Sequence, residues 1–208
     1  MNHESRFWDK VADKYSRKPI ADEAAYRTKL EITREYLRPD MQVFEFGCGT
    51  GSTAILHAPY VEHIHAVDIS KNMLEIARSK ADKEGIRNIS CEQSDIDSFD
   101  AAPESYDAVL GLSILHLLDD RRAAIGKVHK MLKPGGVFVS STVCIGEMMA
   151  LLKFILPAGH FLRLLPLVRI FTVQELVDSL IEAGFEIERQ WQPGKSKAVF
   201  VVARKPGG

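Results

Sequence analysis

Hydrophobic and polar positions along the chain switch between two periods. Short runs that alternate or are apolar throughout begin at Val43 and recur over 63–69, 89–93, 106–112, 136–143, 185–191 and 198–204. Runs of this length, rich in β-branched and aromatic residues, predict strands, seven in total. Between most of them lie stretches with helical spacing. Over 70–85, Ser70 stands as an N-cap, Met73, Leu74, Ala77 and Ala81 share one face, and Gly85 marks the stop. The stretches 121–136, closing in Pro-Gly-Gly, and 173–184 read the same way. Strand alternating with helix predicts right-handed crossovers and an α/β fold: a doubly wound, Rossmann-like, mostly parallel sheet with helices on both faces.

The ends depart from this rhythm. Residues 5–36 are helical in pattern, broken near Pro19, and precede the first strand, where they are expected to cover the C-terminal edge of the sheet. The last two strands are separated only by a turn holding Pro193 and Gly194, too short for a crossover helix, so the final strand is expected to run antiparallel. The segment 144–172 is largely apolar and carries few charges: Glu147, Lys153, Arg163 and Arg169. Pro157, Gly159 and Pro166 interrupt it, which predicts short helices and not the roughly 20 uninterrupted residues of a membrane span. Four readings of it stay open: core filling, a roof over an apolar pocket, a dimer surface, or a peripheral contact with a membrane interface.

Composition narrows the partners. With 46% hydrophobic and 26% charged residues in 208, the chain reads as one globular domain without internal repeats. Lysine and arginine total 27 against 28 acids, so no strong field draws in a polyanion and no nucleic-acid partner is expected. The opening residues MNHESRFWDK show neither the basic flank nor the apolar centre of a signal peptide, and Cys48, Cys91 and Cys144 are isolated; a reducing cytoplasm is the expectation. The pattern does not fix an oligomeric state.

Candidate chemistry concentrates in VFEFGCGTGSTA, Val43 to Ala54, where Gly47, Gly49 and Gly51 follow a strand and open a helix. Glycines at such a turn permit positive φ and let a ligand approach the backbone. The spacing is G-x-G-x-G. The dinucleotide fingerprint needs glycine where Ser52 stands, and the phosphate loop needs a lysine that is missing. Asp68 ends the second strand, where an open α/β sheet places a carboxylate able to accept from both ribose hydroxyls. Asp95, after the third strand, reads equally as a turn-capping aspartate or a ligand contact.

The segments VFEFGCGTG, HAVDIS, SDIDSF, YDAVLGLSILHLL and LKPGG, in this order and spacing, resemble the class I S-adenosylmethionine-dependent methyltransferases. FWDKVADKY before the first strand resembles the small-molecule branch that includes quinone-biosynthesis methyltransferases. The resemblance implies S-adenosylmethionine as cofactor and a small-molecule acceptor; the roof reading of 144–172 predicts that this acceptor is apolar or aromatic, and no metal is expected. It implies that Glu45, Gly47, Cys48 and Gly49 border the methionine end, Asp68 the ribose, Ile69 and Met73 the adenine faces, and Asp95 with Ile96 the adenine amino edge. It also places Leu112 and Ser113 beside the cofactor and Tyr15 over its methionine moiety. The implied organisation is a single domain: an N-terminal helical lid over 1–40, a cofactor-binding core over 41–143, a substrate-lid insertion over 144–172, and a final helix and hairpin over 173–208.

His116, after the fourth strand, is the candidate general base, with a structural histidine as the competing reading. Cys48 has the small size that a tight loop needs and no assigned nucleophilic role. His63 and His65 alternate on one strand without further ligands, so a metal pair is not expected. The sequence GLSI at 111–114 differs from the N/D-P-P-Y element of base methyltransferases. Two rival functions stay open: an NAD-dependent oxidoreductase, against which Ser52 and the final hairpin count, and a cofactor-binding protein without turnover.

Overall fold

A computed structural model describes residues 3–144, 166–194 and 197–207. Among them the elements run α1 His3–Ser16, α2 Glu23–Arg34, β1 Gln42–Phe46, α3 Ser52–His57, β2 His63–Asp68, α4 Lys71–Lys83, β3 Ile89–Gln93 and β4 Tyr106–Leu112. They continue with α5 Arg121–Met131, β5 Leu132–Thr142, α6 Val173–Glu182, β6 Glu186–Trp191 and β7 Val199–Arg204. Short 3₁₀ turns cover Ala58–Tyr60 and Leu115–Leu117.

The seven strands form one sheet in the order β3-β2-β1-β4-β5-β7-β6. All neighbours are parallel except β7, which runs antiparallel to both β5 and β6. Strand order reverses between β1 and β4, so the chain leaves their C-terminal ends in opposite directions and opens a crevice there, the usual ligand position in such sheets.

Alternation along each strand builds two cores. Phe44, Phe46, Val109, Phe138 and Val201 face α5 and α6, meeting Ile125, Val128, Leu176 and Leu180. Val43, Ile64, Leu110, Val139 and Phe200 face the other side, with Ala54 of α3 and Leu74 of α4. The central strands are thus buried on both faces, while the edge strands β3 and β6 keep exposed residues.

Local signals place the helices. Ser70 caps α4, its hydroxyl accepting from the Met73 amide at 3.1 Å, and Gly85 beyond the end has φ +70. Met73, Leu74, Ala77 and Ala81 are the buried face. Thr172 and Glu175 form a reciprocal capping box at the start of α6.

One boundary differs from the sequence expectation. The helix read over 121–136 stops at Met131, and the strand expected from 136 begins at Leu132. Leu132 is fully buried and pairs with Tyr106, and the Gly135 amide donates to the Lys205 carbonyl at 2.9 Å. Neighbouring strands therefore capture the Lys-Pro-Gly-Gly stretch as an irregular start to β5, with a register shift against β4. Of the segment 144–172, residues 145–165 lie outside the described residues. Among the described residues, no helix is long and apolar enough to cross a membrane.

Candidate functional site

The loop between β1 and α3 is held by its own amides. The Cys48 N–H donates to the Val67 carbonyl at 3.1 Å, and the Gly51 N–H to the Cys48 carbonyl at 3.0 Å. The Gly49 N–H donates to Asp68 Oδ2 at 2.8 Å, while Asp68 Oδ1 accepts from the Ser70 N–H at 2.8 Å. The acid at the end of β2 therefore braces both the glycine loop and the start of α4, and its carboxylate keeps accepting capacity for another donor. Burial raises the Asp68 pKa above the ordinary carboxylate value, against the lowering effect of these amides.

Two of the glycines are required for different reasons. Gly51 has φ +70, and a Cβ there would lie 2.8 Å from the Ala77 side chain, so it lets α3 and α4 approach. Gly49 has φ +55, but a Cβ there would meet nothing within 4 Å; it opens onto empty space.

That space is a pair of adjoining cavities that both border the loop. The smaller, about 250 Å³, is lined by Asp68, Ile69, Met73, Asp95 and Ile96. The larger, about 530 Å³, is lined by Glu45 and Cys48 together with residues of α2, α3 and β5. Tyr15, Gly47, Gly49, Leu112 and Ser113 line both and form their shared wall. Ser113 holds φ 60, a left-handed conformation uncommon outside glycine, and its N–H donates to the Ser141 carbonyl at 2.6 Å. Strain of this kind concentrates where a backbone is held for a ligand.

Glu45 and His116 carry contrasting electrostatics. Glu45, 3% exposed, leaves Oε2 without a hydrogen-bond partner, and burial, helped by the nearby charge of Asp68, pushes its pKa up to about 8. Burial pushes the His116 imidazole down to about 4. His116 lies in the 3₁₀ turn and lines neither cavity; its carbonyl accepts from the Arg169 N–H at 2.7 Å, and its Nδ1 is buried without a partner. Its neighbours Ile114, Leu117 and Leu118 line the smaller cavity instead.

Asp95 performs the turn role and lines the cavity as well: its Oδ1 accepts from the Ser98 N–H and hydroxyl, both at 2.7 Å. The Cys48 thiol is buried with its pKa raised by burial first, which keeps it protonated and unreactive. His63 bonds Ser90 at 2.8 Å, and His65 bonds Tyr106 at 3.2 Å and Glu92 at 3.1 Å.

Sequence reasoning missed several contributors. Glu4 and Trp8 of α1 line the smaller cavity beside Tyr15, whose ring meets Trp8 edge-on at 6.3 Å. Asp9 Oδ1 accepts from the Ser70 hydroxyl at 2.7 Å and the Asn72 amide at 3.1 Å, latching α1 onto the start of α4. The Glu4 carboxylate accepts from the Leu167 N–H at 3.3 Å, and Leu167 also lines the smaller cavity. The seven-residue spacing of Trp8 and Tyr15, which puts both on one helix face, was the available signal. Tyr26, Lys29, His57 and Ser141 line the larger cavity without any motif to announce them.

A family model described as a methyltransferase domain matches residues 43–136. The uncharacterized methyltransferase YcgJ of Bacillus subtilis is 32% identical over 110 residues, 53% of this chain and 44% of that protein. Its crystal structure aligns at TM-score 0.73 with 19% identity, covering 88% of this chain and 100% of the solved one. The demethylmenaquinone methyltransferase of Leptospira interrogans is 32% identical over 107 residues, 50% of this chain and 43% of that protein. The [4+2]-cyclase SpnF has the same fold at TM-score 0.76 and 20% identity, covering 92% of this chain and 84% of the other. The matched stretch spans under half the length of these curated relatives. With the strand order, the antiparallel β7, the G-x-G-x-G loop and the acid ending β2, these likenesses make the chain similar to the class I S-adenosylmethionine-dependent methyltransferases, most directly over residues 43–136.

Proposed function

We propose that this protein transfers a methyl group from S-adenosylmethionine to a small-molecule acceptor. The observation that carries the reading is the pair of cavities meeting at Gly49 and Ser113, with a partly satisfied acid, Asp68, on one side and an unpartnered buried acid, Glu45, on the other. These residues fit the two polar ends of the cofactor. Asp68 would accept from the ribose hydroxyls through its free lone pairs. Ile69, Met73 and Ile96 would supply apolar walls for the adenine, and Asp95 would meet its amino edge. Glu45 would face the methionine ammonium, with Gly47, Cys48 and Gly49 along the same moiety. Tyr15 would close over it, and Leu112 with Ser113 would border the transferable group.

The bound cofactor supplies an activated methyl on a sulfonium. The chain's own task is then alignment of the acceptor and exclusion of water, which can account for much of a rate enhancement. No dedicated base is needed for that. His116, outside both cavities and held neutral with a pKa of about 4, is better read as a support of the wall formed by Ile114, Leu117 and Leu118. The apolar segment 144–172, read as a roof, directs the proposal to an acceptor with an apolar body; its residue Leu167 borders the smaller cavity, on the cofactor's side. Calorimetric titration with S-adenosylhomocysteine and with NADH tests the cofactor. Micromolar binding of the first and none of the second is expected; the reverse removes the reading in favour of an oxidoreductase.

A further inference from the structure

The larger cavity contains polar groups that the assignments above leave unused. Lys29 of α2 lines it half-buried, and its ammonium donates to the Ser141 hydroxyl at 2.7 Å. Among the described residues no carboxylate lies within ion-pair distance of it. Asp22, the acid that acts on it at longer range, is already committed to the Ala25 amide at 3.1 Å and to Lys197 at 3.3 Å. A neutral hydroxyl leaves most of the charge of a desolvated ammonium unanswered. His57, the last residue of α3, lines the same cavity at 1% exposure, and neither of its ring nitrogens has a hydrogen-bond partner. A neutral imidazole offers one donor and one acceptor, and burying both unmatched is unfavourable unless a ligand meets them. Leu30, Leu112 and Phe200 line the space as well, giving it an apolar body beside its polar groups.

We infer that Lys29 and His57 anchor the methyl acceptor in the larger cavity and that the acceptor carries a carboxylate, which the Lys29 ammonium pairs and the His57 imidazole orients by hydrogen bonding. This rests on the methyltransferase reading and names the substrate class for it. A single unmatched cation selects a single negative charge. The planar oxygens of a carboxylate can take a bond from Lys29 Nζ and leave the second oxygen for an N–H donor. Lys18, the other lining lysine without a carboxylate partner among the described residues, is exposed to solvent and adds attraction without orientation.

The test uses the full-length protein saturated with S-adenosylhomocysteine, with benzoate and its neutral isostere benzamide as probes titrated by calorimetry. Benzoate is expected to bind at least about tenfold more tightly than benzamide. Lys29→Met should abolish that preference, Lys29→Arg should keep it, and S-adenosylhomocysteine affinity should stay within about twofold in both variants. His57→Leu should weaken benzoate in the same direction. Equal affinity for the two probes, no benzoate binding, or a preference that survives Lys29→Met overturns the inference. A loss of S-adenosylhomocysteine affinity in Lys29→Met overturns it too, because Lys29 then serves the cofactor. Failure of the unmodified protein to bind S-adenosylhomocysteine, measured before any probe is added, instead overturns the cofactor reading and this inference with it.

Discussion

Burial of Glu45 makes ligand binding and folding pH-dependent in a direction that can be worked out. Its carboxyl is displaced from the ordinary 4.5 to about 8, burial being the main cause and the charge on Asp68 the second. That displacement corresponds to roughly 5 kcal/mol in favour of the protonated form inside the fold. At pH 7 about nine in ten molecules without ligand therefore carry the proton. In the unfolded chain the group loses its proton near 4.5, whereas the folded protein holds it up to about 8. The folded state thus binds more protons across this window, so the Glu45 contribution to stability is complete below pH 4.5 and declines as pH rises through 8. Buried His57 and His116, both lowered to about 4, act in the opposite sense between pH 4 and 6.5. The informative quantity is accordingly the difference between the unmodified protein and Glu45→Gln in urea unfolding from pH 5 to 8.5. Glutamine keeps the shape and removes the proton equilibrium, so its advantage should grow steadily with pH.

The same proton reports on binding. A cationic amine brought to Glu45 favours the carboxylate, so binding at pH 7 should release close to one proton per molecule. Calorimetry with S-adenosylhomocysteine in buffers of different ionisation enthalpy measures that number directly. Affinity should rise by up to about tenfold per pH unit below 8. In Glu45→Gln the proton release should vanish. Heats independent of buffer, or identical buffer dependence in both proteins, would falsify the assignment of Glu45 to the amine.

Other perturbations separate bracing from binding. Asp68→Ala should weaken S-adenosylhomocysteine by at least about tenfold in calorimetry through loss of charge-assisted bonds; unchanged affinity refutes its ribose role and leaves only the support of Gly49 and Ser70. Gly51→Val adds a branched side chain at φ +70 where even a Cβ sits 2.8 Å from Ala77, and should cost about 3 kcal/mol in urea unfolding. Gly49→Ala meets open space and should cost only about 1 kcal/mol, yet lower S-adenosylhomocysteine affinity, because its methyl enters the junction of the cavities. Asp9→Ala removes the acceptor for Ser70 and Asn72; loss of about 1 kcal/mol and faster amide exchange in α1 are expected, and unaltered exchange argues against a latch.

The half of the site around the glycine loop was legible in the sequence because short-range rules govern it. The end of β1, the G-x-G-x-G turn, the Ser70 cap and the acid closing β2 each depend on residues a few positions apart, and the structure joins them through amide bonds to Asp68. Where long-range pairing decides, local signals mislead. Pro134, Gly135 and Gly136 read as a stop, yet Tyr106 and Lys205 draw the stretch into β5, since sheet pairing overrides intrinsic preference. Lys29 and His57 show the same limit more sharply. One stands mid-helix on α2 and the other ends α3, and they share a cavity only because both helices dock on one face of the sheet. Neither position carries a spacing that separates it from an ordinary surface lysine or a core histidine. On the proposed function the division has a physical basis: a donor of fixed shape would be held by one contiguous turn and its braces, whereas an acceptor would be met by elements distant in sequence. If Lys29 and His57 hold the acceptor as proposed, substitutions on α2 and α3 would change acceptor choice and leave the glycine loop and Asp68 untouched.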